Sequence, residues 1–129
     1  MQSPPIVLAL LVCDDVWTDA NSRKMSVLGL HGALVLARAE PRIERLTVFV
    51  CLTELPEEAV VRVRLIDVDE ERPPVAESKE RVRSPDPRAV VQGHFRFDAV
   101  RFEREGDYRV QLFVDDELLL ERRLAVLHR

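Results

Sequence analysis

Gly106-Asp107-Tyr108-Arg109-Val110-Gln111-Leu112-Phe113-Val114-Asp115-Asp116-Glu117-Leu118-Leu119-Leu120-Glu121-Arg122-Arg123-Leu124-Ala125-Val126 consists of two runs of alternating hydrophobicity around a pair of acidic residues. Tyr108, Val110, Leu112 and Val114 recur at every second position. Leu118, Leu120, Arg122, Leu124 and Val126 resume that period after the turn. Side chains of a strand alternate between its two faces, so this pattern predicts a β-hairpin with one face against a core. Tyr108 to Val114 then point inward at every second position, while Arg109, Gln111 and Phe113 point outward.

The rest of the chain carries the same punctuation. Residues 6–13 form a continuous apolar run of strand length. Residues 25–36 are again apolar, but Gly29 and Gly32 interrupt them, which predicts one bent or bulged strand. Leu46-Thr47-Val48-Phe49-Val50-Cys51-Leu52-Thr53 is β-branched and aromatic. Residues 60–68 place Val61, Val63 and Leu65 on one side and Arg62, Arg64 and Ile66 on the other. Residues 75–83 are charged and weakly alternating, as an edge strand that must discourage pairing would be. Residues 90–102 alternate imperfectly, and Gly93 is read as a bulge. No stretch has the period of an amphipathic helix.

Short strands bounded by Pro, Gly, Asp and Asn predict an all-β chain. The expected fold is an immunoglobulin-like antiparallel β-sandwich of about 7–9 strands. It forms one domain over residues 1–129, after a short lead over residues 1–5. Gly106-Asp107-Tyr108 opens the penultimate strand, where such sandwiches hold a tyrosine whose hydroxyl returns to nearby backbone; an ordinary half-buried tyrosine is the other reading.

Aromatic residues are only 5% of the chain. The core is therefore expected to be Val and Leu, with Phe95, Phe97, Phe102, Phe113 and Trp17 as its bulky pieces. The net charge of −4 is spread among interspersed groups, without the basic block of a nucleic-acid tail. His94-Phe95-Arg96-Phe97 is the one place where aromatic and basic residues interleave, and no nucleic-acid partner is expected. Nor is a membrane partner, since residues 6–13 are too few to span a bilayer and lack the flanks of a signal peptide. Cys13 and Cys51 are read as reduced thiols of a cytoplasmic protein.

Cys13-Asp14-Asp15 and Lys24-Met25-Ser26-Val27-Leu28-Gly29, together with Gly106-Asp107-Tyr108, resemble an uncharacterised bacterial family. Its members carry Cys-Asp-Asp, a short polar loop, Lys-x-Ser-x-x-Gly and a closing Gly-x-Tyr hairpin. The resemblance reaches both ends of the chain and leaves the middle, residues 54–90, without a matching motif. It implies a bacterial β-sandwich of unknown function and brings no catalytic residues with it.

Three functional readings follow, in order of preference. The first is a non-enzymatic protein-interaction or structural module, whose partner is another protein or a second copy of the chain. Its contact surface is the outward face with Arg109, Gln111 and Phe113, or the loop around Trp17. The second is a ligand site for calcium or carbohydrate on an acidic loop holding Asp14, Asp15, Trp17 and Asp19. Asp67, Asp69 and Glu70, or Asp115 and Asp116, could add oxygen ligands, of which Ca²⁺ takes about 6–8. Aspartates also favour loops for local backbone bonding, and Arg23 and Lys24 lie near enough in sequence to neutralise Asp14 or Asp15. Trp17 is expected to fold back and cap the sandwich, exposure as an anchor being the alternative. The third is a thiol enzyme using Cys13 with His31 or His94; a buried Cys is ordinarily inert, and no His sits in a recognisable motif. No cofactor or metal is expected.

Overall fold

A computed structural model describes residues 3–69 and 72–129. Met1 and Gln2 of the expected lead lie outside the described residues, as does Glu70. The described strands are β1 (Ile6–Thr18), β2 (Met25–Leu30), β3 (Ala33–Leu36), β4 (Arg42–Thr53), β5 (Glu58–Asp67), β6 (Ala76–Arg83), β7 (Val91–Arg101), β8 (Gly106–Val114) and β9 (Glu117–His128). They form a four-stranded sheet, β2-β1-β4-β7, and a five-stranded sheet, β3-β9-β8-β5-β6. The fold is an all-β sandwich. Every ladder is antiparallel except β3 on β9, which is parallel.

Alternation places the core between the sheets. Leu10 and Val12 of β1, and Leu46, Val48, Val50 and Leu52 of β4, face Val61, Val63 and Leu65 of β5 and Val110, Leu112 and Val114 of β8. Phe95, Phe97 and Phe102 are buried there as expected. Trp17 and Phe113 are not core residues. The phenylalanines of His94-Phe95-Arg96-Phe97 therefore pack inward and offer no exposed ring for a base to stack on.

Residues 25–36 are not one bent strand. They split into β2 and β3, which belong to different sheets. Gly29 adopts φ +70, a conformation that favours glycine. Gly93 is not a bulge, because β7 pairs with β4 in one unbroken register from Arg42 opposite Arg101 to Leu52 opposite Val91. The irregularities lie elsewhere, in β1 between Val7 and Ala9 and in the β8–β9 ladder between Leu112 and Phe113. At the second, Leu112 faces Leu120 while Phe113 faces Leu118, so Leu119 is the extra residue. Leu119 packs against the core, and Leu118 moves to the outer face beside Phe113. The expected inward period of Leu118 is thus displaced by one bulge, because a one-residue shift exchanges the two faces.

Asp115 and Asp116 have φ of 49° and 66°, the geometry of the two-residue turn that matches strand twist. The Asp115 carboxylate accepts the Val60 N–H at 2.9 Å, tying the turn to β5. Asp116 only approaches Arg62, at 3.9 Å, from an exposed position. Asp116→Gly is expected to add about 0.5–1 kcal/mol of stability, since glycine adopts this φ without the steric cost a side chain carries. Urea denaturation of the two proteins measures it, and an unchanged or lowered midpoint contradicts the turn assignment.

Candidate functional site

The acidic N-terminal segment is a strand, not a loop. β1 continues past Cys13, with Asp15 opposite Leu28 and Trp17 opposite Ser26 on β2. Only the short stretch between β1 and β2 turns, closed by the Asp19 N–H on the Lys24 carbonyl at 2.9 Å. The three aspartates diverge. Asp14 pairs with His31 at 2.8 Å. Asp15 pairs with Arg45 at 2.9 Å and accepts the Val16 N–H at 2.9 Å. Asp19 accepts the Asn21 N–H and the Ser22 hydroxyl within its own turn. Asp14 is thus hydrogen-bonded to His31 and Asp15 is ion-paired with Arg45, and neither pairs with Arg23 or Lys24. Among the described residues no three His, Cys, Asp or Glu side chains converge as metal ligands would. Asp115 and Asp116 sit at the β8–β9 turn, apart from this hairpin.

Trp17 does not cap the sandwich; it is 58% exposed. The last β1 residue paired with β4 is Cys13, so Trp17 stands on a two-stranded ribbon beyond the reach of the second sheet.

The hydrogen bonds at these aspartates set a pH dependence. The Val16 N–H and then Arg45 hold the Asp15 carboxyl below the ordinary value of 3.8. The Asn21 N–H and the Ser22 hydroxyl do so for Asp19. Arg88 lowers Asp86, and Arg123 lowers Asp107. A lowered folded pKa means that the unfolded chain binds more protons in the acid range, so stability rises with pH there. The urea midpoint is expected to be level between about pH 7 and pH 5 and to fall progressively below about pH 4. A midpoint independent of pH in the acid range contradicts these pairings.

Cys13 is fully buried in a second apolar cluster with Val16, Phe49 and Cys51, on the side of β1 and β4 away from the main core. Its thiol donates to the carbonyls of Asp15 and Thr47. Burial first, and then the charges of Asp14 and Asp15, push its pKa up. A raised pKa works against a thiolate nucleophile. Cys13 pairs with Thr47, while Cys51 pairs with Ala9. That separation along the ladder is roughly 13 Å at about 3.3 Å per residue, beyond the reach of a disulfide. Both thiols are free.

The outer face of the five-stranded sheet holds Arg109, Gln111 and Phe113. Register places Arg62 opposite Phe113 and Arg64 opposite Gln111. The Arg62 guanidinium lies 4.3 Å from the Phe113 ring centroid and that of Arg64 5.8 Å, so the ring is covered by cation–π contacts. Leu118, 45% exposed, adds an apolar neighbour through the bulge. Outward positions bring Glu58, Arg62 and Arg64 from β5, and Glu77, Lys79, Arg81 and Arg83 from β6. They bring Asp107 and Arg109 from β8, and Glu121 and Arg123 from β9. Basic groups outnumber acidic ones on this face, although the whole chain has a net charge of −4. The acidic hairpin tip lies beside the Arg62 end, and Arg64, Arg109 and Arg123 carry the positive charge of the other end.

Sequence alternation contained the signal for Arg62 and Arg64, since both stand opposite Val61, Val63 and Leu65. It had none for Leu118, whose face depends on the bulge, nor for Arg72, which lies in the connection after β5.

The chain belongs to a family of unknown function: the family model described as Family of unknown function (DUF6941) matches residues 8–127. The match takes in both the Cys13-Asp14-Asp15 and the Gly106-Asp107-Tyr108 segments. No curated protein matches the chain.

Proposed function

We propose that this member of a family of unknown function is a non-enzymatic protein-interaction module, and that its contact surface is the outer face of the five-stranded sheet around Phe113. The observation that carries this reading is the outward display of Phe113 and Leu118 among Arg62, Arg64 and Arg109. An aromatic ring held rigid by arginines, with an apolar neighbour, has the composition that protein contacts favour. The raised pKa of Cys13 and the pairing of His31 with Asp14 favour this over a thiol enzyme. The topology supports an immunoglobulin-like sandwich: β3 lies parallel beside β9, and the Tyr108 hydroxyl donates to the Arg104 carbonyl at 2.7 Å. Two free, buried thiols fit a reducing compartment such as a bacterial cytoplasm. No helix of the described residues is long and apolar enough to cross a membrane.

The test is a photo-crosslinking residue placed at Leu118 and, as a control, at exposed Val90. The expected result is a crosslinked species from Leu118 alone, with light scattering separating a second copy from another protein. Equal yields from both positions, or none from Leu118, remove this face as the contact surface.

A further inference from the structure

We propose that the Ile66 end of this outer face is a binding cleft for an acidic polypeptide segment; the proposal rests on the contact-face reading above. A cavity of about 210 Å³ opens there, lined by Arg64, Ile66, Arg72 and Gln111. Gln111 is only 8% exposed. Its Nε2 donates to Glu121 at 3.0 Å, but its Oε1 accepts no hydrogen bond among the described residues. A buried acceptor without a donor is a standing cost, and in a cleft it is a place where a ligand's donor is rewarded. The ion pairs of this face join Arg62 and Arg64 to Glu77, Arg62 to Asp116, Arg83 to Glu57, and Arg123 to Asp107. Arg72, Lys79, Arg81 and Arg109 are left without an ion pair among the described residues; of these, Arg72 lines the cleft and Arg109 stands opposite Ile66, while Lys79 and Arg81 lie toward the hairpin tip.

The cleft therefore asks for two things at once: negative charge for Arg72 and for Arg109, which stands opposite Ile66, and a hydrogen-bond donor for Gln111. An acidic polypeptide brings both. Its carboxylates match the guanidinium forks, and its main-chain N–H groups can reach Gln111 Oε1. A DNA backbone brings phosphate acceptors and no matching donor. It would also meet Glu77, Asp107 and Glu121 between the arginines, and find the Phe113 ring already capped by Arg62 at 4.3 Å. Charge and the orphaned acceptor together select the peptide.

Fluorescence anisotropy with a short labelled peptide of alternating Asp and Glu tests this on the intact chain. Binding is expected, weakening with salt, and absent for the Asn and Gln counterpart of the peptide. Arg72→Gln is expected to weaken it about tenfold, the loss of one charge-assisted contact. Gln111→Leu should weaken binding while raising the melting temperature, since it deletes the unpartnered acceptor. A merely structural Gln111 would not couple those two changes in opposite directions. No binding to the unaltered protein, unchanged affinity in Arg72→Gln, or tighter binding of an oligothymidylate of matched charge each overturns the proposal. If Leu118 still crosslinks while the peptide fails, only the acidic partner falls. If both fail, the contact face falls with it.

Discussion

Phe102→Ala will remove about 3–5 kcal/mol of folding stability, a large share of the roughly 5–15 kcal/mol that a domain of this size commands. Phe102 is fully buried in the connection between β7 and β8. Its ring meets Tyr108 edge-on with centroids 5.0 Å apart. Its backbone is fixed on both sides: the N–H donates to the Pro41 carbonyl at 2.8 Å, and the carbonyl lies 3.0 Å from a ring nitrogen of His128. The cost of a large-to-small change depends on whether the site can collapse. A backbone held at two points, against β9 on one side and the residue before β4 on the other, cannot follow the missing ring. The loss should therefore lie toward the upper end, with the edge-on pair adding about 0.5–1.5 kcal/mol beyond area burial. Tyr108→Phe is the control. It keeps the ring pair and removes only the hydroxyl bond to the Arg104 carbonyl, at a cost of about 1–2 kcal/mol. Urea denaturation of both variants decides it. A Phe102→Ala loss no larger than that of Tyr108→Phe would show that the corner repacks freely and is not the rigid joint described here.

Tyr108 is also a useful measure of what the sequence can show. Its inward period and the Gly106-Asp107-Tyr108 opening were local features, and the structure keeps both. The inward set Val61, Val63 and Leu65 and the charged edge strand β6 were legible for the same reason: each is decided within a few residues. The departures depend on which strand a residue pairs with and in what register, near or far in sequence. Asp14 to Trp17 have the composition of a loop, and only the β2 ladder makes them a strand. Residues 25–36 show their break at the glycines, yet nothing local says that β3 crosses to the other sheet, because its partner is β9 near the other end of the chain. Leu118-Leu119-Leu120 offers three equivalent leucines, and the bulge opposite Phe113 chooses which one faces in. The candidate site follows the same division. Alternation placed Arg109, Gln111 and Phe113 on one face. The burial of Gln111 and the approach of Arg72 are properties of neighbours, so the cleft could not be read from either residue alone.

Gly29→Ala is the second substitution with a large expected effect, and it ties Cys13-Asp14-Asp15 on β1 to Lys24-Met25-Ser26-Val27-Leu28-Gly29 on β2 through one contact. A Cβ built on Gly29 would lie 2.3 Å from Asp14 Oδ2 and 2.8 Å from its Cγ. The backbone at Gly29 has φ +70, which costs a residue with a side chain about 1–2 kcal/mol. The two penalties differ in kind. The conformational one stays whatever occupies position 14. The steric one can be relieved if the Asp14 carboxylate swings aside, but it must then leave His31, its partner at 2.8 Å. That pair is solvent-exposed at Asp14 and contributes at most about 1 kcal/mol. The expected loss for Gly29→Ala is about 2–3 kcal/mol in all. Asp14→Ala alone should cost less than about 1 kcal/mol. The double variant should then be no less stable than Gly29→Ala by itself, and its coupling of about 1 kcal/mol, in the direction of rescue, measures the contact. Strict additivity across this cycle would mean that Asp14 does not occupy the space above Gly29. Rescue would mean that the glycine and the aspartate form one steric unit, in which a residue without a side chain on β2 makes room for a carboxylate on β1, and that Asp14 and Gly29 serve the hairpin before they serve any ligand.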